Sequence, residues 1–365
     1  MVRLTRAQQQ ERTRASVLAA AVEEFTQHGY ADAKVDRIAA RAELTRGAVY
    51  SNFPGKRSLY LAVLLDSLPG LTAGDAAATE PVDVAGGAEA FARVWLERLP
   101  LSGDAPSAGK LRSLSVTGVF DDEPGRTALA EVTRLESLLL ALALESTRAR
   151  TAGRRVRLAE MILTLLNGAS HLAQTAPGFG DPFDVARACR HLAGLNADDT
   201  WDPPHLPYVA AARPCRDAWT PPVGLIDEIT GRPADLDDDG LVVVLGTGRL
   251  SAAEEAVRAA RPGDLVTVAV VTADPAESGA LVRLRIGDLV ACLRRAFGPA
   301  FTPSLRLVLD DRAALASALD TEAAEDTETA VRLGAGHIVA RAHGRGAAYA
   351  AATFPARPQP ETENR

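Results

Sequence analysis

The amino-terminal part of the chain places apolar residues at helical spacing in four successive stretches. The first stretch predicts a helix over 12–28, which ends at His28-Gly29 and carries the apolar residues Val17, Leu18, Ala21, Val22 and Phe25. A second, short helix is built on Val35, Ile38 and Ala39. A third opens at Thr45, a good helix cap, and stops at Pro54-Gly55. A fourth begins around Leu59 and leads away, so the pattern predicts a helix-turn-helix head.

The third predicted helix separates apolar from small and polar residues. Val49 and Phe53, four residues apart, face the first two helices, and the remaining side chains stay outside. A surface of small and polar groups suits the major groove of DNA. We predict that the DNA-contacting residues are Lys34, Arg37, Thr45, Arg46, Gly47, Ala48, Tyr50, Ser51, Asn52 and Lys56. A surface ion pair for Arg37 and a core position for Tyr50 are the alternatives.

Basic residues precede and flank this head. Lys56 follows the Pro-Gly stop at a helix amino terminus, where a phosphate can also meet free N–H groups. At the start of the chain, we expect a solvated, disordered arm, with minor-groove contact as the alternative. Its basic residues are Arg3, Arg6, Arg12 and Arg14.

A spaced set of more than ten positions between about residues 12 and 66 resembles the amino-terminal domain of TetR-family transcriptional regulators. The set consists of Gly29-Tyr30, Ile38-Ala39, Ala42, Gly47-Ala48-Val49-Tyr50-Ser51-Asn52-Phe53, Lys56, Leu59 and Tyr60. The resemblance implies a homodimer on a palindromic operator, a helical effector-binding region, and repression relieved by a small ligand. It also implies that Tyr50 lies near the DNA backbone.

Two positions depart from the family pattern. Ala33-Lys34 stands where the family has Thr or Ser, so we expect the second helix to lack a side-chain cap. Glu43 stands in the turn where the family favours glycine, and it carries strain if the turn needs a left-handed backbone. We expect the Glu43 side chain to point away from DNA.

A Gly/Ala/Asp/Pro-rich stretch, 69–87, is predicted to be a mobile connection, and 88–197 returns to a helical pattern. The predicted helices are 88–99, 110–120, 128–150, 156–176 and 182–195. The resemblance implies that the last two form the dimer interface, with a plain core role as the alternative, and that the others enclose an effector pocket. The residue types of that pocket indicate a small apolar or aromatic effector. The candidate pocket residues are Phe91, Trp95, Leu114, Phe120, Leu138, Leu142, Met161, Asn167 and His171. Plain core positions are the alternative for most of them, and an interface histidine is the alternative for His171.

The carboxyl-terminal part changes period. After a Pro/Trp-rich linker at 198–223, apolar β-runs at 241–245, 265–271 and 305–309 alternate with helices at 251–261, 281–297 and 312–319. A hairpin (329–333 and 337–342), a last helix (344–353) and a disordered tail (355–365) follow. This order resembles the thioredoxin-like fold of peroxiredoxins and of the carboxyl-terminal domains of aromatic-ring flavin hydroxylases. The predicted fold class is therefore multidomain: an all-α TetR-like regulator (head 1–68, helical domain 88–197) followed by an α/β, thioredoxin-like domain at 224–354.

The chemistry available to this last domain is limited. Gly246-Thr247-Gly248 is a partial phosphate-loop pattern without its third glycine. A thiol redox site needs a cysteine after the first strand, where Thr247 to Leu250 stand instead, and Cys292 is expected in the core. We therefore predict a non-enzymatic regulator without cofactor or metal. A fusion in which this domain has its own catalytic or nucleotide-binding activity is the alternative.

Charge and composition agree with a DNA-binding head on an acidic body. Residues 1–68 hold ten Lys and Arg against seven Asp and Glu, a net charge of +3, whereas the whole chain of 365 residues carries −7. No apolar run is long enough for a membrane span, and the first residues do not resemble a secretory signal. The three cysteines, Cys189, Cys215 and Cys292, fit a reducing compartment, so we expect a cytoplasmic protein.

Overall fold

A computed structural model describes residues 5–68, 81–99, 106–147, 153–195, 198–298, 301 and 303–355. In this part of the chain the helices are α1 (Arg6–Asp32), α2 (Val35–Arg41), α3 (Arg46–Tyr50), α4 (Lys56–Asp66), α5 (Val84–Leu96), α6 (Pro106–Arg112), α7 (Glu123–Glu145), α8 (Val156–Thr175), α9 (Pro182–Leu192), α10 (Ala252–Ala259), α11 (Ala280–Phe297), α12 (Ala314–Ala318) and α13 (Ala347–Thr353). Most of the mobile connection predicted at 69–87 and most of the predicted tail lie outside the described residues, and 84–87 belong to α5.

The strands are β1 (Arg213–Ala218), β2 (Ile226–Asp227), β3 (Arg232–Pro233), β4 (Gly240–Gly246), β5 (Leu265–Val271), β6 (Leu305–Leu309), β7 (Glu328–Gly334) and β8 (His337–His343). They form one mixed sheet in the order β1-β8-β7-β4-β5-β6-β2-β3. The chain divides into two compact units. Unit 1 contains 1–200 and 274–303, and unit 2 contains 201–273 and 304–365.

Helix α1 begins earlier than the sequence pattern predicts. The Thr5 hydroxyl accepts from the Gln8 amide, and the Gln8 side chain accepts from the Thr5 amide, which closes a capping box. Arg6, Arg12 and Arg14 therefore lie on a helix, and the prediction of a disordered arm is wrong for them. The Arg14 guanidinium lies 4.4 Å from the centre of the Phe53 ring.

The helix-turn-helix depends on two backbone features. Helix α1 is interrupted at Gly29, whose φ of 68° is strained for other residues, at the position predicted for its end. Glu43 in the turn has φ 56°, so the turn does require a left-handed backbone at a non-glycine residue. As expected, no side chain caps α2.

A buried carboxylate joins α1 to α2. Glu24 has no exposed surface, and its Oε1 atom accepts from the Lys34 amide (3.0 Å) and from Arg37 Nε (2.7 Å). Burial opposes ionisation, but these hydrogen bonds and the Arg37 charge lower the pKa of Glu24. Glu24 therefore stabilises the start of α2 in place of the missing cap.

The apolar core of unit 1 continues from the head into the regulatory helices. Phe25, Leu59 and Tyr60 of the head pack in one cluster with Phe120 from the segment before α7. The Tyr60 hydroxyl donates to the Ser115 carbonyl at 2.9 Å. Helix α4 therefore contacts the regulatory helices, as does α1, which packs against α6.

Helix α11 is the largest difference from the sequence prediction. It connects β5 to β6, strands of unit 2, yet it packs in unit 1 against α4, α5 and α7. Leu281 and Leu284 are buried in the cluster that holds the head, and Phe297 approaches Gly87 so closely that a β-carbon there would lie 2.9 Å from its ring. Residues 274–303, which fall within the predicted α/β domain at 224–354, thus belong to the helical unit.

Unit 2 contains the predicted strands and the predicted helices other than α11, with extra edge strands. Strands β4 and β5 pair in parallel over Gly240–Gly246, as do β5 and β6, and β7 pairs antiparallel with β4. The predicted hairpin β7–β8 turns at Ala335-Gly336, both with positive φ. Within the predicted linker, Arg213–Ala218 forms the edge strand β1, and the Trp219 indole donates to the Leu236 carbonyl at 2.7 Å.

A buried acid lies beside the carboxyl end of β4. Glu255 on α10 is 6% exposed, and its Oε1 atom lies 3.0 Å from His205 Nε2. Burial, with the Glu328 charge nearby, raises the pKa of Glu255 to about 7, and burial lowers the pKa of His205. Arg249, which pairs with Glu328 at 2.5 Å, opposes the rise. The remaining charges acting on this pair are those of Glu254 and Arg345.

We expect Glu255→Gln to remove a pH dependence of stability. Because the folded-state pKa lies above the ordinary value, the contribution of Glu255 is present at low pH and is lost as pH rises through about 7. Between about pH 5 and about pH 8 the free energy of unfolding of the wild type should fall. Over the same range, that of the variant should fall by about 2 kcal/mol less. Urea titrations at both pH values measure this difference. Glu254→Gln, a neighbour on α10, is the control, and an equal change in both variants would contradict the assignment.

Candidate DNA-binding surface and ligand cavity

Among the residues that the structure describes, the polar side of α3 and of its cap is largely exposed. Thr45 caps the helix by accepting from the Ala48 amide at 3.2 Å, and Val49 and Phe53 are buried as predicted. The residues that remain exposed around α3 are Thr45, Arg46, Gly47, Tyr50 and Ser51, and Ala48 and Asn52 are half-buried.

Arg46 and Tyr50 form one exposed group on α3. Arg46 Nη2 donates to the Tyr50 hydroxyl at 3.4 Å, and the guanidinium lies 5.4 Å from the centre of the tyrosine ring. The other terminal nitrogen of Arg46, Nη1, lies 3.3 Å from Asp36 Oδ1. Exposed pairs of this kind stabilise little, so a phosphate or a base edge can replace Asp36 as the partner of Arg46.

Three other candidate residues have structural partners. Arg37 pairs with buried Glu24 at 2.5 Å, the alternative that the sequence left open. Lys56 Nζ donates to the Ala31 and Ala33 carbonyls at 2.9 and 3.0 Å, at the end of α1, and burial lowers its pKa. Lys34 directly precedes α2 and its side chain is exposed. The backbone amide of Lys34 donates to Glu24.

A cavity of about 840 Å³ lies among the regulatory helices of unit 1. Among the candidate pocket residues, the cavity is lined by Trp95, Leu114, Phe120, Asn167 and His171. Its described lining does not include Phe91, Leu138, Leu142 or Met161, of which the first three are buried in the core.

Sequence reasoning missed two groups of lining residues. Helix α11 contributes Leu284, Arg285 and Asp288 from the carboxyl-terminal half of the chain. Hydroxyl-bearing side chains on α7 and α8 form a second group, which comprises Thr133, Ser137, Thr164 and Ser170. The i, i+4 spacing of Thr133 and Ser137 on an apolar helix was the available signal for the second group, whereas no local signal places α11 here.

The glycines after β4 have a structural explanation. A β-carbon at Gly246 would lie 2.2 Å from the Ala324 carbonyl oxygen, and one at Gly248 would lie 2.9 Å from the Glu325 carbonyl oxygen. Carbonyl oxygens repel phosphate, so this loop does not have the geometry of a phosphate cradle. Cys292 is buried on α11, as predicted, and burial raises its pKa to about 12.

The compact head, with a capped and exposed third helix, defines the class of a helix-turn-helix DNA-binding domain. Within that class, residues 17–63 match the family described as bacterial regulatory proteins, tetR family, and this part of the chain is a TetR-family amino-terminal domain.

Two curated relatives are transcriptional regulators. The HTH-type transcriptional regulator SrpR of Pseudomonas putida is 47% identical over 64 residues, which are 18% of this chain and 30% of that protein. The HTH-type transcriptional repressor SCO4008 of Streptomyces coelicolor is 34% identical over 89 residues, which are 24% of this chain and 41% of the repressor. The chain thus spans less than half the length of these curated relatives.

Among solved structures, this chain is similar to NalD, the secondary repressor of the MexAB-OprM multidrug efflux pump in Pseudomonas aeruginosa. The identity is 21%, the coverage is 50% of this chain and 95% of NalD, and the TM-score is 0.34. In the part of the chain that the structure describes, helices of the length and hydropathy needed to cross a membrane are absent.

Proposed function

We propose that the protein is a TetR-type transcriptional regulator that binds a palindromic operator as a homodimer and is released from it by a small ligand. The observation that carries the proposal is the exposed polar surface of α3, on a head that matches the family at 17–63. Thr45, Arg46, Tyr50 and Ser51 contact the groove and its phosphates in this proposal. Arg37 and Lys56 act mainly by holding the head together.

The dimer is proposed to form through α8 and α9. Phe179 and Phe183 are each 71% exposed and Leu172 is 40% exposed, so this face presents apolar side chains to solvent. An exposed apolar face on adjacent helices is typical of a contact between subunits. A second copy of the same chain covers it with two-fold symmetry.

Ligand control is supported by side chains that the cavity shares with the core of the head. Leu114, Phe120 and Leu284 line the cavity and also belong to the cluster that holds α1 to α4. Arg57 on α4 lies 4.9 Å from the Phe120 ring and pairs with Asp122 at 2.6 Å. A ligand that displaces Phe120 thereby moves α4 and the recognition helix with it.

For unit 2 we infer a thioredoxin-like fold that has lost redox catalysis. The order β8-β7-β4-β5, with β4 and β5 parallel and the β7–β8 hairpin antiparallel, supports this fold. Leu250 is buried in the turn where the reactive cysteine is expected. The proposal assigns unit 2 a regulatory rather than an enzymatic role.

DNA capture by the purified full-length protein tests the function. We expect retained fragments to share an inverted repeat whose half-sites lie about one turn of DNA, ~34–36 Å, or somewhat more apart. Retention of unrelated sequences with equal affinity would reject an operator-binding regulator.

The Phe183→Glu variant tests the dimer in the same experiment. A charge at this apolar face should give a monomer in light scattering and weaken retention of the repeat by about 100-fold or more, because the two heads no longer bind together. Val82→Glu, at another exposed apolar residue of unit 1, is the control and should remain a dimer. If the Phe183→Glu protein remains a dimer, the interface lies on another face of the protein.

A further inference from the structure

The cavity of unit 1 has a wall of hydrogen-bond acceptors. Thr133, Ser137 and Thr164 each donate their hydroxyl hydrogen to the carbonyl four residues earlier in their own helix, at 2.8, 3.0 and 2.7 Å. Asn167 Nδ2 does the same at 2.8 Å. A carbonyl oxygen only accepts, so the hydroxyl hydrogens of Thr133, Ser137 and Thr164 are used, while Asn167 keeps one of its two N–H groups. The three hydroxyl groups can therefore offer a ligand only the lone pairs of their oxygens.

The deepest charges around the cavity compensate one another. Arg98, two residues after α5, pairs with Asp288 on α11, and Arg285 on α11 pairs with Glu136 on α7 at 2.6 Å. Two positive and two negative groups are thus paired among α7, α11 and the segment after α5, and none of them is left for a charged ligand to neutralise. The other charged side chains of the lining are Asp121, Arg126, Arg134 and Glu160.

The remaining lining is aromatic and aliphatic. Trp95 and Phe120 contribute rings, and Leu129, Leu163 and Leu284 contribute aliphatic side chains. A volume of about 840 Å³ is in the range of cavities that hold drug-sized molecules. The cavity thus combines an apolar frame with one wall that accepts hydrogen bonds.

We propose that this cavity binds an uncharged aromatic molecule carrying several hydroxyl groups, a polyphenol. The inference rests on the proposed function, since it names the class of ligand that the regulator senses. An anion would face the acceptor oxygens, and the two inner arginines, Arg98 and Arg285, already hold carboxylates. A purely apolar molecule would leave the acceptors without donors, and burying them without partners costs free energy. A molecule that brings O–H groups satisfies them while its rings pack on Trp95 and Phe120.

Titration calorimetry of the full-length protein with three compounds of one ring frame tests this class. The compounds are trihydroxystilbene (resveratrol), unsubstituted stilbene and stilbene carboxylate, and phenols of this kind are uncharged at neutral pH since their pKa is about 10. We expect trihydroxystilbene to bind about ten-fold more tightly than either of the others. Equal or tighter binding of stilbene or of stilbene carboxylate, or no binding by any of the three, overturns the proposal.

Two threonines of α8 provide matched variants. Thr164 lines the cavity and Thr175 does not, yet each hydroxyl donates to the carbonyl four residues earlier. Thr164→Val should weaken trihydroxystilbene binding by about five-fold or more, and Thr175→Val should leave it unchanged. Equal effects of the two substitutions overturn the assignment of this wall.

Operator retardation, measured in parallel, separates this inference from the proposed function. Both threonine variants should retard operator DNA as the wild type does in the absence of ligand. If the protein binds trihydroxystilbene selectively but stays on the operator, the proposed class of ligand is confirmed. The proposal that this ligand releases the protein from DNA is then wrong. A protein that binds no operator but retains the selectivity and the Thr164 effect overturns the regulator and leaves the cavity assignment standing.

Discussion

Replacement of Arg46 and Tyr50 by alanine should abolish operator retardation while leaving the protein folded and dimeric. Both side chains are exposed on α3, and their mutual contact and the Asp36 pair contribute little to folding. Each half-site then loses two contacts, and at roughly 1 kcal/mol for each contact the dimer loses about a thousand-fold in affinity. Gel retardation with the captured inverted repeat, together with light scattering, measures both parts of this expectation.

Arg93→Ala is the matched control for the lost charge. Arg93 on α5 is also exposed and held in an ion pair, with Glu89, but it lies outside the head. We expect this variant to bind the operator almost as the wild type does. Unchanged retardation by the Arg46 and Tyr50 double variant would reject α3 as the recognition helix, and a loss in both proteins would indicate a charge effect without a specific contact.

Leu284→Ala should lower the free energy of unfolding of the helical unit by about 3 kcal/mol, because it removes buried apolar contacts with the head and enlarges the existing cavity. Leu284 is 1% exposed and lies on α11, in the cluster that contains Phe25 and Leu59 of the head. Urea unfolding followed by helix circular dichroism measures the change. Since the same cluster positions α4, operator affinity should fall as well.

Arg295→Ala, farther along α11, serves as the control. Arg295 pairs with Glu97, and both side chains are substantially exposed (41% and 56%), so its loss should cost less than about 0.5 kcal/mol. Similar stability of the two variants would show that α11 is not needed to hold the helical unit together, contrary to its packing here.

The local sequence was sufficient for the head because local forces decide its form. Thr45 caps α3 by its own hydroxyl, Val49 and Phe53 lie on one helix face, and Gly29 permits the break after α1. Strands β4 to β8 of unit 2 were equally predictable, since apolar runs such as Leu241 to Leu245 are typical of strands buried on both faces, whereas the edge strands β1 to β3 were missed. The start of α1 was missed because the Thr5 to Gln8 capping box was not recognised.

The partners of the charged residues could not be read from the sequence. Arg37 and Lys56 are cations near the recognition helix in sequence, but folding directs them to Glu24 and to the carbonyls at the end of α1. These partners are distant from Arg37 and Lys56 along the chain, so composition shows that charges exist without showing which of them remain available. Which apolar residues line the cavity could not be predicted either. Phe91 and Trp95 are four apart on α5, and of these two only Trp95 lines the cavity.

The sequence by itself determined the helix-turn-helix, the alternation of β4 to β8 with helices, and the bounds of these strands to within a residue or so, because these follow from the period of apolar residues and from caps and turns of a few residues. The tertiary structure alone decided that α11, which joins two strands of unit 2, packs among the helices of unit 1 and completes the cavity there. The physical reason is that an apolar helix face specifies burial without specifying a partner. Leu281 and Leu284 therefore predict a buried face, and only the assembled core shows that α4 and α7 cover it.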